Sequence, residues 1–136
     1  MKKLIYLGLV LIALFNSTLC YAQSSEKKSE NPATGKIEAY YFHMTTRCVT
    51  CKAVEAEARK DLEILYGGKV SFKAINIEDD SSNAITEKLK ISGQTLLIIK
   101  GDKKINLTNE GFLYALNNPE KFKSIIKEKV DRLLKL

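Results

Sequence analysis

Residues 37–52 read Ile-Glu-Ala-Tyr-Tyr-Phe-His-Met-Thr-Thr-Arg-Cys-Val-Thr-Cys-Lys, and the reading of this stretch decides the fold. Ile37 to His43 is aromatic-rich, carries neither Gly nor Pro, and is short enough to be a strand buried on both faces. Met44 to Arg47 is a polar loop. From Cys48 to Tyr66 the residues Val54, Ala58, Leu62 and Leu65 recur at helical spacing, which predicts one amphipathic helix opened by the two cysteines. Gly67 and Gly68 follow it and are expected to end it as a left-handed cap.

The rest of the chain continues the alternation of strand and helix. Val70 to Ile77 puts Val70, Phe72 and Ala74 on one side and Ile75 and Ile77 on the other, and Glu78, Asp79 and Asp80 close it. Ser81 or Ser82 is expected to cap a short helix over residues 83–90, with Ile85 and Leu89 facing inward. Thr95 to Lys100 is an apolar strand, Gly101 and Asp102 form a turn, and Lys103 to Leu107 returns beside it as a hairpin. A short helical segment is expected from Gly111 to Leu116. Asn118 and Pro119 form a cap and first turn for a closing helix that reaches Leu134. Phe122, Ile125, Ile126, Val130, Leu133 and Leu134 make its buried stripe. The six tyrosines and the last helix's apolar residues are thus assigned to the interior rather than to a binding groove.

On the amino-terminal side, Met1 to Lys3 is positive, Leu4 to Phe15 is apolar or small, and Asn16 to Ala22 is more polar. This is the layout of a signal peptide over residues 1–22, with Cys20 and Ala22 placed for cleavage before Gln23. A membrane anchor would need a longer apolar run, and Leu19 is large for lipoprotein processing at Cys20. No stable membrane span is therefore expected after cleavage. Residues 23–36 are polar and form a flexible leader, leaving residues 37–136 as one domain.

With 45% hydrophobic and 28% charged residues, 7 Gly and 2 Pro, the chain of 136 residues is neither collagen-like nor low-complexity. Loss of Lys2 and Lys3 with the signal lowers the formal charge from +6 to +4. Its lysines are interleaved with acids and apolar residues, so no nucleic-acid partner is expected. The mature chain keeps Cys48 and Cys51 alone, too few for a stapled scaffold or a four-ligand structural zinc site.

Two cysteines separated by two residues can close a disulfide when the first sits at a helix start. The helix N-terminus stabilises a thiolate at Cys48, and Arg47 adds a neighbouring positive charge. Cys48 is then the nucleophile, and Cys51, deeper in the helix, resolves the mixed disulfide. A static bridge is the competing reading.

Tyr40 to Lys52 resembles the active-site strand, loop and helix of the thioredoxin superfamily. Val70 to Glu78 resembles that family's third strand, and Ser92 to Gly101 the strand that faces the active site. The resemblance spans residues 37–136 in element order and implies an α/β thioredoxin-like fold, a central mixed β-sheet flanked by helices. It also implies thiol-disulfide oxidoreductase activity, which the signal peptide would direct to exported proteins in the periplasm or outside the cell. The redox-active Cys48–Cys51 pair would serve as its own cofactor. Partners would be exported protein thiols or disulfides and an upstream redox partner.

Three departures bear on the site. Where the family has a cis-proline, this chain has Gln94, and a cis bond there would cost about 2.5–4 kcal/mol, so a trans bond is expected. Arg47 replaces the aromatic residue before the first cysteine, and Phe42 stands where many members bury an acid. Glu38, Glu55 and Glu78 are candidate substitutes for that acid. His43, the only histidine, is expected to bond a loop backbone or to tune Cys48. The alternative function is a Cu(I)-binding or delivery protein that uses Cys48, Cys51 and His43.

Overall fold

The computed structural model describes residues 35–136. The expected signal peptide and residues 23–34 of the expected leader lie outside them, while residues 35 and 36 are exposed and in no regular element. Among the described residues, no helix is long and apolar enough to cross a membrane.

The elements are β1 (Ile37–His43), α1 (Val49–Tyr66), β2 (Val70–Asn76), α2 (Asn83–Leu89), β3 (Thr95–Lys100), β4 (Lys103–Asn106), α3 (Thr108–Tyr114) and α4 (Pro119–Leu134). The strands form a four-stranded mixed sheet in the order β2-β1-β3-β4. β1 pairs in parallel with β2 and antiparallel with β3, and β4 pairs antiparallel with β3.

β1 separates two cores. Ile37, Ala39 and Tyr41 face Val54, Ala58 and Leu62 of α1 and Phe122, Ile126 and Val130 of α4. Tyr40 and Phe42 point the other way, with Leu97 and Ile99 of β3, toward Ile85 and Leu89 of α2. The period-2 alternation of one strand thus fills both faces of the sheet. Each fully buried large side chain contributes roughly 1.5–3 kcal/mol, and Tyr41 and Phe42 are both at 0% exposure.

The ends of the elements show where local chemistry overrides the pattern. Gly67 closes α1 with φ +53, but its ψ of −136 lies outside the left-handed helical well, so the expected left-handed cap does not form, and its N–H donates to the Glu63 carbonyl. Asn118 accepts the Lys121 N–H at 3.1 Å, so the expected cap of α4 is present. Ser82 does not cap α2 with its side chain: its hydroxyl donates to the Asp79 carbonyl at 2.7 Å, inside a preceding 3₁₀ turn. α2 stops at Leu89 because Lys90 takes a left-handed conformation, φ 58 and ψ 47. α3 starts earlier than its apolar pattern suggests, because the Asn106 Oδ1 accepts both the N–H and the hydroxyl of Thr108. Those bonds also end the strand at Asn106 instead of Leu107. Leu134 is 41% exposed and drops out of the α4 stripe, whose buried members are Phe122, Ile126, Val130 and Leu133.

Helices α1 and α3 meet at Gly111, where an added Cβ would lie 2.9 Å from a Val54 methyl. Val54 is completely buried and cannot retreat. Gly111→Ala should therefore destabilise the domain by about 1–3 kcal/mol in denaturant unfolding, although alanine favours helix intrinsically.

Asp61 is buried on α1, and its Oδ2 has no hydrogen-bond partner. Burial pushes its carboxyl above the usual range, helped by Glu57 and Glu120 and opposed by Lys60 and Lys123. A carboxyl raised in the folded state loses stability as pH climbs from the unfolded to the folded value and stays lower above both. Asp61→Asn should thus gain about 1 kcal/mol at pH 7, with the gain vanishing near pH 3 in paired denaturation curves.

Candidate functional site

The topology gathers three loops at one end of the sheet. β1 and β2 run in parallel and end there, whereas β3 runs antiparallel and begins there, with Thr95 opposite Phe42. Residues 44–48, 77–82 and 91–94 consequently meet at the start of α1.

The loop before the cysteines is tied to the end of β2. The Ile77 N–H donates to the His43 carbonyl at 2.8 Å, extending the ladder by one step. The Thr45 N–H donates to the Glu78 carboxylate at 2.7 Å, and the Asn76 amide donates to the Thr45 hydroxyl at 2.9 Å. Hydrogen bonding from Thr45 holds the Glu78 carboxyl below the usual carboxylate range. The latch fixes the backbone that delivers Cys48.

Cys48 is the N-cap of α1, with extended backbone at φ −73 and ψ 170. Its sulfur accepts the Cys51 N–H at 3.2 Å, taking the place an oxygen occupies in an ordinary cap. The two sulfurs are paired as a disulfide across a Cα–Cα distance of 5.2 Å. Their surroundings differ. Cys48 is exposed, beside Val49 at 69% exposure, whereas Cys51 is 3% exposed. A freed thiolate at Cys48 would therefore have water, the dipole of α1 and a backbone donor.

Tyr41 supports Cys51 from below. Its buried hydroxyl donates to the Cys51 carbonyl at 2.9 Å. Burial, reinforced by Glu55 and opposed by Arg47, pushes the Tyr41 hydroxyl up to about 12. Sequence reading placed Tyr41 in the core but missed this bond, because strand alternation says which face a ring takes and not where its hydroxyl ends.

The other candidate residues take separate places. Arg47 forms an ion pair with Glu55, which also accepts from Arg59 at 3.1 Å. Its charge is thus shared along α1 rather than left free for Cys48. The His43 Nδ1 lies 3.0 Å from the Met44 carbonyl, the backbone contact expected of it. Among the described residues, no three His, Cys, Asp or Glu side chains are grouped to hold a metal ion, so His43 does not join the cysteines in one such cluster. Gln94 does reach the site: its Oε1 lies 3.2 Å from the Cys51 sulfur. As expected, its peptide bond is trans, for no cis bond occurs among the described residues. Of the candidate acids, Glu38 faces Lys73 at 3.7 Å at the opposite end of β1, Glu55 is held in its ion pairs and Glu78 in the loop latch. Phe42 lies in the second core, so its position offers no proton carrier.

No family model and no curated protein matches the chain. Among solved structures it is similar to Trxlp, a thioredoxin-like protein from Edwardsiella tarda EIB202, with 16% identity over 69% of this chain and 84% of that one and a TM-score of 0.50. It is also similar to a malarial protein, with 17% identity over 51% of this chain and 74% of that one and a TM-score of 0.41. The mixed four-strand sheet with flanking helices, together with the likeness to Trxlp, establishes a thioredoxin-like fold.

The Tyr41 bond has an alkaline signature. Its hydroxyl ionises near 10 when unfolded and about 12 when folded, so stability falls as pH rises between the two. Tyr41→Phe should cost about 1 kcal/mol at pH 8. The deficit should shrink and then reverse as pH is raised toward 12 in urea unfolding, since the variant lacks the titrating group.

Proposed function

We propose that this chain is an exported thiol-disulfide oxidoreductase acting on protein disulfides through Cys48 and Cys51. The observation that carries the reading is the inequality of the two sulfurs. One is exposed at a helix N-cap and accepts a backbone N–H, while the other is buried within bonding reach of it. A static bridge requires no such difference, and a loop this short gives little entropic stabilisation.

In the reducing direction, the Cys48 thiolate attacks one sulfur of a substrate disulfide. A mixed disulfide forms, the substrate's S–S bond breaks, and the departing thiolate takes a proton from water. Cys51 then gives its proton to solvent and attacks the Cys48 sulfur. The intramolecular disulfide closes, and the second substrate sulfur leaves and is protonated. Two electrons pass from the dithiol to the substrate, and the reverse sequence oxidises a substrate dithiol. The protein needs no cofactor beyond the pair itself.

Residues 1–22 support export, which places the reaction in the periplasm or outside the cell. The partners are then exported protein thiols or disulfides, with an upstream dithiol or disulfide protein to reset the pair. The exposed Met44 and Val49 give the rim of Cys48 an apolar surface on which an unfolded segment can rest.

Cys48→Ser should abolish disulfide exchange with a model protein disulfide, and Cys51→Ser should accumulate mixed disulfides that reductant releases. Titration of the wild-type pair in glutathione buffers, read by alkylation and mass spectrometry, should show a reversible transition between roughly −270 and −120 mV. A pair that stays oxidised throughout, or a reduced Cys51→Ser variant that forms no mixed disulfide with a protein disulfide, would refute the reading. The same titration with Cu(I) reports metal binding as protection of both thiols from oxidation.

A further inference from the structure

We propose that Gln94 is a positioning residue that holds Cys51 as a neutral thiol until a mixed disulfide has formed at Cys48. The proposal rests on the redox reading of the pair and adds a control over its second step.

The loop before β3 can touch the pair only because β3 is antiparallel to β1, which sets Thr95 opposite Phe42 and brings Gln94 to the end where α1 begins. The loop is itself secured: the Ile91 N–H donates to the Thr86 carbonyl at 2.8 Å, and the Thr95 hydroxyl donates to the Gly93 carbonyl at 3.0 Å. The side chain of Gln94 then places Oε1 at 3.2 Å from the Cys51 sulfur.

When the pair is reduced, the Cys51 S–H donates to this oxygen. A carbonyl oxygen stabilises a thiol through that bond and repels a thiolate through its lone pairs, so it favours the protonated form. Burial of Cys51 at 3% exposure acts in the same direction. Cys48 has the opposite surroundings, with the Cys51 N–H donating to its sulfur. The charged or titratable groups near Cys51 include Cys48, bonded to it, and Lys52, next in sequence, on its own chain segment, Tyr41 from β1, and the Arg47–Glu55 ion pair, in which Glu55 lies one turn further along α1. Tyr41 donates to the Cys51 carbonyl and remains protonated at neutral pH. From the loop before β3, the group in contact with the sulfur is the uncharged amide of Gln94.

The consequence is an ordering of events. With Cys51 kept as a thiol, Cys48 carries the thiolate and meets the substrate disulfide first. Resolution then waits for Cys51 to lose its proton to solvent, which lengthens the life of the mixed disulfide. In that second step the Cys51–Cys48 bond forms, the Cys48–substrate bond breaks, and the released substrate thiolate takes up a proton.

The test uses the reduced protein and needs no substrate. In a Cys48→Ser background, which isolates Cys51 from coupled titration, the rate of Cys51 alkylation by iodoacetamide is followed against pH. Gln94→Ala should lower the midpoint by about one pH unit. Gln94→Glu, isosteric but anionic, should raise it. A merely structural role would not move the midpoint in opposite directions. In the wild-type background, Cys48 is loaded as a mixed disulfide with thionitrobenzoate, and release of the coloured thiolate at pH 7 reports resolution. A tenfold gain in thiolate, offset by lower intrinsic nucleophilicity, predicts release about threefold faster in Gln94→Ala. Midpoints that do not move, or that move in the same direction in both variants, overturn the proposal, as does an unchanged release rate in Gln94→Ala. Because alkylation reads the thiol itself, its failure is distinct from failure of the redox reading, which the trapping variant tests.

Discussion

Strand β1 has no solvent face, and the rest of the structure follows from that constraint. Ile37, Ala39 and Tyr41 enter one core and Tyr40 and Phe42 the other, so helices must cover both faces of the sheet. Being central, it pairs with β2 on one side and β3 on the other. A buried strand with both edges occupied is a rigid support, and the loop leaving its end inherits that rigidity through the Ile77–His43 and Thr45–Glu78 bonds. The cysteines are held by a short lever on a fixed base.

The electrostatics of the site come mainly from backbone geometry. Arg47 directly precedes Cys48 in the chain, yet it is committed to Glu55, and Glu55 in turn to Arg59. The N–H donated to the Cys48 sulfur is built into the first turn of α1 and cannot be withdrawn by a rotamer change. Such a donor is preorganised, and it acts without drawing a side chain out of water. The two members of the ion pair act in opposite directions on Tyr41, where burial, reinforced by Glu55 and opposed by Arg47, keeps the hydroxyl protonated beneath Cys51.

Much of this was readable from the residues themselves, because it depends on short-range rules. The aromatic run of β1, the stripe of α1, the positive φ of Gly67 and the Asn118 cap all follow from periodicity or from one side chain bonding its own backbone. What escaped reading has two origins. Some local polar side chains had a choice of partner: Ser82 bonds backward to Asp79 instead of capping forward, and Asn106 seizes Thr108 and starts α3 early. Other contacts depend on register between segments remote in sequence. The bond from Tyr41 to the Cys51 carbonyl and the latch between Thr45 and Glu78 exist only once β1, β2 and α1 are assembled. Gln94 lies between these cases, since the sequence showed that a proline was missing but not what the replacing amide would touch.

That last contact differs in chemistry from the one a proline would make. A proline before β3 would present a ring and backbone to the sulfurs, with no side-chain polar atom. Glutamine presents a polar group on a rotatable stem, and its trans peptide bond avoids the cost that a cis bond would impose without proline. A disulfide's redox balance depends on how its reduced form is stabilised. In this chain the two sulfurs meet different partners: the backbone N–H of Cys51 donates to the Cys48 sulfur, and the Gln94 Oε1 lies 3.2 Å from the Cys51 sulfur. The antiparallel register of β3 against β1 is what allows the second contact to be made, and the parallel register of β2 secures the loop that makes the first. The sheet's mixed topology thereby sets which groups surround each sulfur.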